Sequence, residues 1–196
     1  MCIRDSYNAL VAIMICYLID VPTKNIQNTL PQVHVLGRGQ VMHVSPDYSV
    51  LIDYAHNGVS FESIISTVEQ YNPNKLIVVY GSGGKRSKTR RYESGEVVAK
   101  HGGYSILTAD NPRGEKIVDI CKDIVVGIDK YHGEYTIIPD RKEAIYHALD
   151  MACKGDVVLL LGKGHETYMI GEDEVTRHFS ETEVLEEYKK ERGLNA

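Results

Sequence analysis

The residues best equipped for chemistry fall in short polar clusters, each placed directly after an apolar run. They are Asp53-Tyr54-Ala55-His56, Gly81-Ser82-Gly83-Gly84-Lys85-Arg86, Asp110-Asn111-Pro112-Arg113, Asp140-Arg141 and Gly162-Lys163-Gly164-His165-Glu166. Glycine amides that approach an anion, guanidinium forks for a carboxylate or phosphate, and a glutamate for an ammonium group are what these types offer. The segment 81–91 gathers five basic residues in seven positions, Lys85, Arg86, Lys88, Arg90 and Arg91, at the start of a predicted helix. Such a cluster suits an anion at a helix N-terminus and equally suits a solvated basic face, and spacing leaves both open. Asp110 to Arg113 reads as a carboxylate clamp or as a plain turn and helix cap. His56 and His165 read as ligand contacts or as hydrogen-bonded structural histidines. A P-loop would need Gly at position 79 and Ser or Thr at 86, where Val79 and Arg86 stand, and no other stretch supplies the pattern. No His, Cys and carboxylate spacing matches a metal site, so no metal ligand is assigned.

The elements that must position these clusters follow from the apolar patterning. Runs such as Leu76–Tyr80 (LIVVY) and Val157–Leu161 (VVLLL) are continuously apolar, as strands covered on both faces are. They alternate with helical stretches at 60–71, 89–101, 114–130 and 141–152, with further strands at 48–54, 104–108 and 135–139. This rhythm predicts an α/β fold, a Rossmann-like doubly wound and mostly parallel sheet. Ligands in such sheets sit beyond the carboxyl ends of the strands, where all five clusters lie. Asp140 with Glu143 and Ser180 with Glu183 have capping-box spacing. Two helices at 7–19 and 24–30 precede a Gly37-Arg38-Gly39 turn, which sets the expected division into residues 1–36 and 37–196.

Composition narrows the classes. A sequence of 196 residues with 43% hydrophobic and 25% charged residues is of ordinary globular type. A net charge of −5 argues against a nucleic-acid partner, so any positive site is local. The longest apolar run, Ala9 to Ile19, is shorter than the ~20 residues a spanning helix needs, so membrane insertion is not expected. Cysteines at 2, 16, 121 and 153 form no CxxC pair and fit a reducing, cytoplasmic setting.

Taken in order, Tyr7-Asn8-Ala9-Leu10, Gly37-Arg38, Asp53-Tyr54-Ala55-His56, the Gly-Gly-x-Arg segment at 83–86, Asp110-Asn111-Pro112-Arg113 and Gly162-Lys163-Gly164-His165-Glu166 resemble the Mur ligases of peptidoglycan synthesis. Among these they are most similar to the UDP-N-acetylmuramoyl-tripeptide synthetases, which add the third stem-peptide residue. The resemblance implies a C-terminal fragment of an ATP-dependent amide ligase, inactive alone, with the P-loop and the Mg2+ ligands upstream. Residues 1–36 would be a remnant of the central ATPase domain, of which 1–6 match nothing in the family and read as non-native. Arg38 would contact ATP phosphate and Asp53 the ribose, with Tyr54 and His56 lining the nucleotide site. Arg86, Asn111, Arg113, Gly162 and Glu166 would bind the incoming amino acid, and Asp-Asn-Pro-Arg is the form shown by members that add meso-diaminopimelate to UDP-MurNAc-L-Ala-D-Glu. The alternatives are the same ligase using L-lysine, or a Rossmann-like module that binds a phosphorylated ligand without chemistry. Gly39-Gln40, Asn57-Gly58-Val59, Lys85 and Ser87 depart from the family's usual residues.

Overall fold

A computed structural model describes residues 3–33 and 37–194. The chain divides into two compact units, residues 1–36 and 37–196. The first holds α1 (Ile3–Leu18), α2 (Thr23–Thr29) and a short 3-10 turn at Leu30–Gln32. Pro22 stands at the N-cap of α2 and Pro31 opens the 3-10 turn, where a missing N–H costs nothing. Tyr7, Leu10, Val11, Met14, Ile15, Tyr17, Leu18 and Ile19 are exposed. Cys2 lies outside the described residues.

The second unit runs β1 (Gln40–Met42), β2 (Ser49–Asp53), α3 (Gly58–Glu69), β3 (Leu76–Tyr80), α4 (Thr89–Lys100), β4 (Tyr104–Leu107), α5 (Ile117–Asp129), β5 (Tyr135–Ile137), α6 (Arg141–Met151), β6 (Val157–Leu161), β7 (Tyr168–Ile170), β8 (Thr176–His178) and α7 (Glu181–Glu191). Six strands form one sheet in the order β1-β2-β6-β3-β4-β5. All its pairings are parallel except the edge pair β1 and β2.

The pleat alternates side chains between two cores. Leu76, Val78 and Tyr80 of β3 with Val157, Leu159 and Leu161 of β6 pack against Phe61 and Ile65 of α3, Val98 of α4 and Ile124 of α5. Ile77 and Val79 with Val158 and Leu160 pack against Ala144 and Ile145 of α6 and Leu185 of α7. Both faces are covered, which is why the runs are continuously apolar. Each buried aliphatic side chain contributes about 1.5–3 kcal/mol relative to exposure.

Asp140 and Ser180 cap α6 and α7 by accepting from the Glu143 and Glu183 amides. The reciprocal capping box is found elsewhere, at α3, where Asn57 and Ser60 bond each other's backbone and start the helix two residues before the expected position. Helix α5 starts later than the expected 114, because Arg113 (φ 48°) and Gly114 (φ 88°) are left-handed and Lys116 is the N-cap. The antiparallel pair of β7 and β8 was not expected from the sequence.

Candidate functional site

Three loops meet beyond the carboxyl ends of β3, β4 and β6. The first two are locked by close approach: the Gly84 amide donates to the Asn111 carbonyl at 2.8 Å, and a Cβ at Gly84 would collide with the Pro112 carbonyl. Seven of the nine residues to which the resemblance gives a binding role, Tyr54, His56, Arg86, Asn111, Arg113, Gly162 and Glu166, line one cavity of about 280 Å³ together with Arg90 and Asp110. Arg38 and Asp53 lie outside it.

The basic segment splits into two sets. Arg91 is buried and bonds Asp123 and Glu115, both at 2.8 Å; Lys88 pairs with Asp123 at 3.1 Å and Lys85 with Glu174. Arg86 and Arg90 have no ion pair among the described residues and line the cavity. Among the described residues the Arg113 guanidinium bonds only the Asn111 carbonyl, at 3.4 Å. Three arginines therefore face two carboxylates, Asp110 and Glu166, and the cavity favours an anion.

The floor is a hydrogen-bonded group of buried polar side chains. Lys163, with no side-chain exposure, donates to Glu166 Oε2 at 2.9 Å, to Asn111 Oδ1 at 3.3 Å and to the Tyr168 carbonyl. Asn111 Nδ2 donates to the same Glu166 oxygen at 2.9 Å and to Asp110 Oδ1 at 3.1 Å. Burial alone would raise the Glu166 carboxyl, but the bonds from Lys163, Asn111 and Tyr54 hold it below the usual carboxylate range. Burial and the Glu166 charge push the Tyr54 hydroxyl up.

Beside the cavity, Asp53 at the end of β2 accepts from the Gly39 and Ala55 amides, both at 2.7 Å. The Gly37-Arg38-Gly39 turn is thus tied to the strand end, with Arg38 exposed on it. Gly37 (φ 67°) rests on the Gly164 and His165 backbone, leaving no room for a side chain. The Tyr54 ring centroid is 5.2 Å from that of His56 and 5.3 Å from that of His165. His56 Nδ1 lies 3.0 Å from the Tyr54 carbonyl, which only accepts, so Nδ1 carries the proton. Among the described residues no group of three His, Cys, Asp or Glu is placed to hold a metal ion.

Sequence reasoning missed the hairpin of β7 and β8, which braces all three loops. Tyr168 accepts from Lys163, the Ile170 amide donates to Asn111 Oδ1 at 2.9 Å, and Ile170 accepts from the Arg113 amide at 3.4 Å. Glu172 accepts from the Ile117 amide at 2.6 Å and Glu174 reaches Lys85. The available signal was the Gly171-Glu172-Asp173-Glu174 turn between two short extended runs.

Residues 37–164 match the family model described as Mur ligase, glutamate ligase domain. The chain belongs to the Mur ligase family. A curated relative named UDP-N-acetylmuramoyl-L-alanyl-D-glutamate--2,6-diaminopimelate ligase, from Caldanaerobacter subterraneus subsp. tengcongensis, is 41% identical over 181 residues, 92% of this chain and 37% of the relative. A Clostridium perfringens protein of the same name is 40% identical, over 91% of this chain and 37% of its own length. This Mur ligase chain thus spans about 37% of the length of these relatives. A solved structure with that name matches with a TM-score of 0.73 at 26% identity, covering 96% of this chain and 39% of the other. A UDP-N-acetylmuramate-alanine ligase from Thermotoga maritima shares the fold, with a TM-score of 0.68 at 14% identity over 99% of this chain and 39% of that one. No helix among the described residues is long and apolar enough to cross a membrane.

Proposed function

We propose that this chain is the amino-acid-binding C-terminal part of a cytoplasmic, ATP-dependent ligase that adds meso-diaminopimelate to UDP-MurNAc-L-Ala-D-Glu. In that reaction ATP phosphorylates the substrate carboxylate, and the incoming amine attacks the acyl phosphate and expels phosphate. Residues 1–36 are read as the closing helices of a central ATPase domain. The Mg2+ of the family reaction would be held by upstream residues.

The observation that carries this reading is the cavity in which Arg86, Arg90 and Arg113 have no carboxylate partner among the described residues, while the lining also holds Glu166, its carboxyl kept below the usual carboxylate range by Lys163 and Asn111. A ligand that fits needs a carboxylate for the guanidinium groups and an ammonium for Glu166, as the distal end of meso-diaminopimelate provides. Lysine lacks that carboxylate, so binding it leaves a desolvated arginine unpaired, a mismatch that such sites reject by ~10⁴-fold or more. Gly162, left-handed at φ 110°, brings its backbone to the cavity wall, and Asn111 forms its floor. Arg38 and Asp53, tied together by the 37–39 turn, are read as the phosphate and ribose contacts of ATP, with Tyr54 and His56 alongside.

The test is calorimetric titration of the 196-residue chain with meso-diaminopimelate, L-lysine and inorganic phosphate. The expected order is diaminopimelate well ahead of lysine, with Arg113→Ala erasing the difference. Tighter binding of phosphate than of diaminopimelate, with Arg113→Ala silent, would favour a phosphate-binding module without chemistry.

A further inference from the structure

Lys163 is a charged side chain with no exposure, and every proton on it is committed. Its three partners, Glu166 Oε2, Asn111 Oδ1 and the Tyr168 carbonyl, match the three hydrogens of an ammonium group, which also lies 5.2 Å from the Tyr168 ring centroid. A buried charge persists only when it is partnered this completely. Asn111 is saturated in the same way. Its Oδ1 accepts from Lys163 and from the Ile170 amide, and its Nδ2 donates to Glu166 and to Asp110. The amide therefore has two acceptor and two donor positions, all filled from within the protein. Glu166 differs. Oε2 takes both Lys163 and Asn111, whereas Oε1 has, among the described residues, only the Tyr54 hydroxyl at 3.4 Å, beyond a strong O–H···O distance.

We propose that Lys163 is a positioning residue for substrate recognition: with Asn111 it pins Oε2 of Glu166, leaving Oε1 as the oxygen that takes the ammonium of the incoming amino acid. This deepens the proposed function and rests on it. Lys163, which does not line the cavity, acts through Glu166. The same ammonium holds the first strand of the hairpin through Tyr168, so the brace and the carboxylate are set by one side chain.

The other charged and titratable groups lining the cavity with Glu166 are Tyr54 and His56 from the loop after β2, Asp110 and Arg113 from the loop after β4, and Arg86 and Arg90 across the cavity. Burial favours the protonated acid, which Lys163 opposes. Without Lys163 the carboxyl moves upward, and an acid-sensitive step enters the binding of any ammonium ligand.

The test is a carbon-13 NMR titration of the Glu166 carboxyl, with meso-diaminopimelate affinity measured at about pH 6 and about pH 8. The proteins are the 196-residue wild type, Lys163→Met, Lys163→Gln, Glu166→Gln and the Lys163→Met/Glu166→Gln double variant. Lys163→Met is expected to raise the Glu166 midpoint and to weaken binding roughly tenfold or more, most strongly at the lower pH. In the Glu166→Gln background Lys163→Met is expected to cost no further affinity, since Lys163 acts through that carboxylate. If Lys163→Met does not fold, Lys163→Gln and the double variant, which leaves no unpaired charge, carry the same comparison. A Glu166 midpoint that neither Lys163 variant moves, or affinity losses that add, would overturn the proposal while wild-type binding stands. Absence of wild-type binding at millimolar diaminopimelate would overturn the amino-acid reading of the cavity, and this proposal with it.

Discussion

Arg141 donates two hydrogen bonds to one oxygen of Glu181, from Nε at 3.1 Å and Nη2 at 2.8 Å, and neither side chain has any solvent exposure. The same guanidinium bonds the Ala109 and Leu161 carbonyls, both at 2.8 Å, where the chain leaves β4 and β6 for the cavity loops. The pair therefore fastens the ends of two strands that deliver Asp110, Asn111, Lys163 and Glu166. Oε2 of Glu181 has no partner among the described residues, so Arg141 is what compensates the buried carboxylate, and removing either side strands a buried group.

Glu181→Gln and Arg141→Met are each expected to lower stability by about 3–5 kcal/mol, because each leaves an uncompensated buried group. The apolar double replacement, Arg141→Met with Glu181→Leu, is expected to recover part of that loss. Urea unfolding measures both. A single-variant loss below about 1 kcal/mol would mean that the strand ends hold without the pair.

His101 ties α4 to α3 through Glu69 at 2.8 Å and Glu62 at 3.0 Å, with Lys100 also 3.6 Å from Glu62. Burial works to lower the imidazole, but the two carboxylates outweigh it and hold its pKa above the ordinary histidine value. Its contribution to stability is thus complete below the unfolded value of about 6.5 and is lost as pH rises through the folded one. Calorimetric Tm of the wild type is expected to fall relative to His101→Gln between about pH 6 and pH 9. Parallel curves for the two proteins would show that the pairing contributes nothing.

Gly84→Ala places a methyl group against the Pro112 carbonyl and drives apart the loops that carry Arg86 and Arg113. Overpacking of this kind costs about 1–3 kcal/mol, and diaminopimelate binding is expected to fall further than stability alone explains. The check is titration calorimetry beside a melting curve; unchanged affinity would show that the spacing of the two loops does not set the site.

The exposed apolar surface of α1 and the residue after it includes Leu18 at 81% and Ile19 at 67% exposure. Contiguous apolar surface of this type recruits hydrophobic dye and promotes association. A chain of residues 37–196 is expected to bind less dye and scatter less light than the 196-residue chain, with the melting of the remaining unit unchanged. Equal dye binding by both would place the apolar surface elsewhere.

Legibility in the sequence followed the range of the interactions. The strands of β3 and β6 were readable because five consecutive apolar residues, covered on both faces, leave a local mark. The cavity residues were readable as types at strand ends, since the fold brings those ends together wherever the loops lead. The roles of Lys85, Lys88 and Arg91 were not readable, because their neutralising partners Glu174, Asp123 and Glu115 lie at least 24 residues away along the chain. Distance hid Lys163 only in part, since its bond to Asn111 spans 52 residues while Glu166 and Tyr168 lie three and five residues away. The hairpin escaped notice because strands of three residues, YMI and TRH, are too short to establish a period of two.

The strand order also sets a schedule for synthesis. Among the described strands β6 alone bonds both β2 and β3, yet it is the last of the six to leave the ribosome. Until residue 161 has emerged, β1 with β2 and β3 with β4 and β5 can pair only as separate half-sheets, each with an open apolar edge. Emergence of Leu161 closes that gap by inserting one strand between two waiting edges, so the vulnerable interval for a nascent chain, and the one in which a holding chaperone has most to cover, ends there.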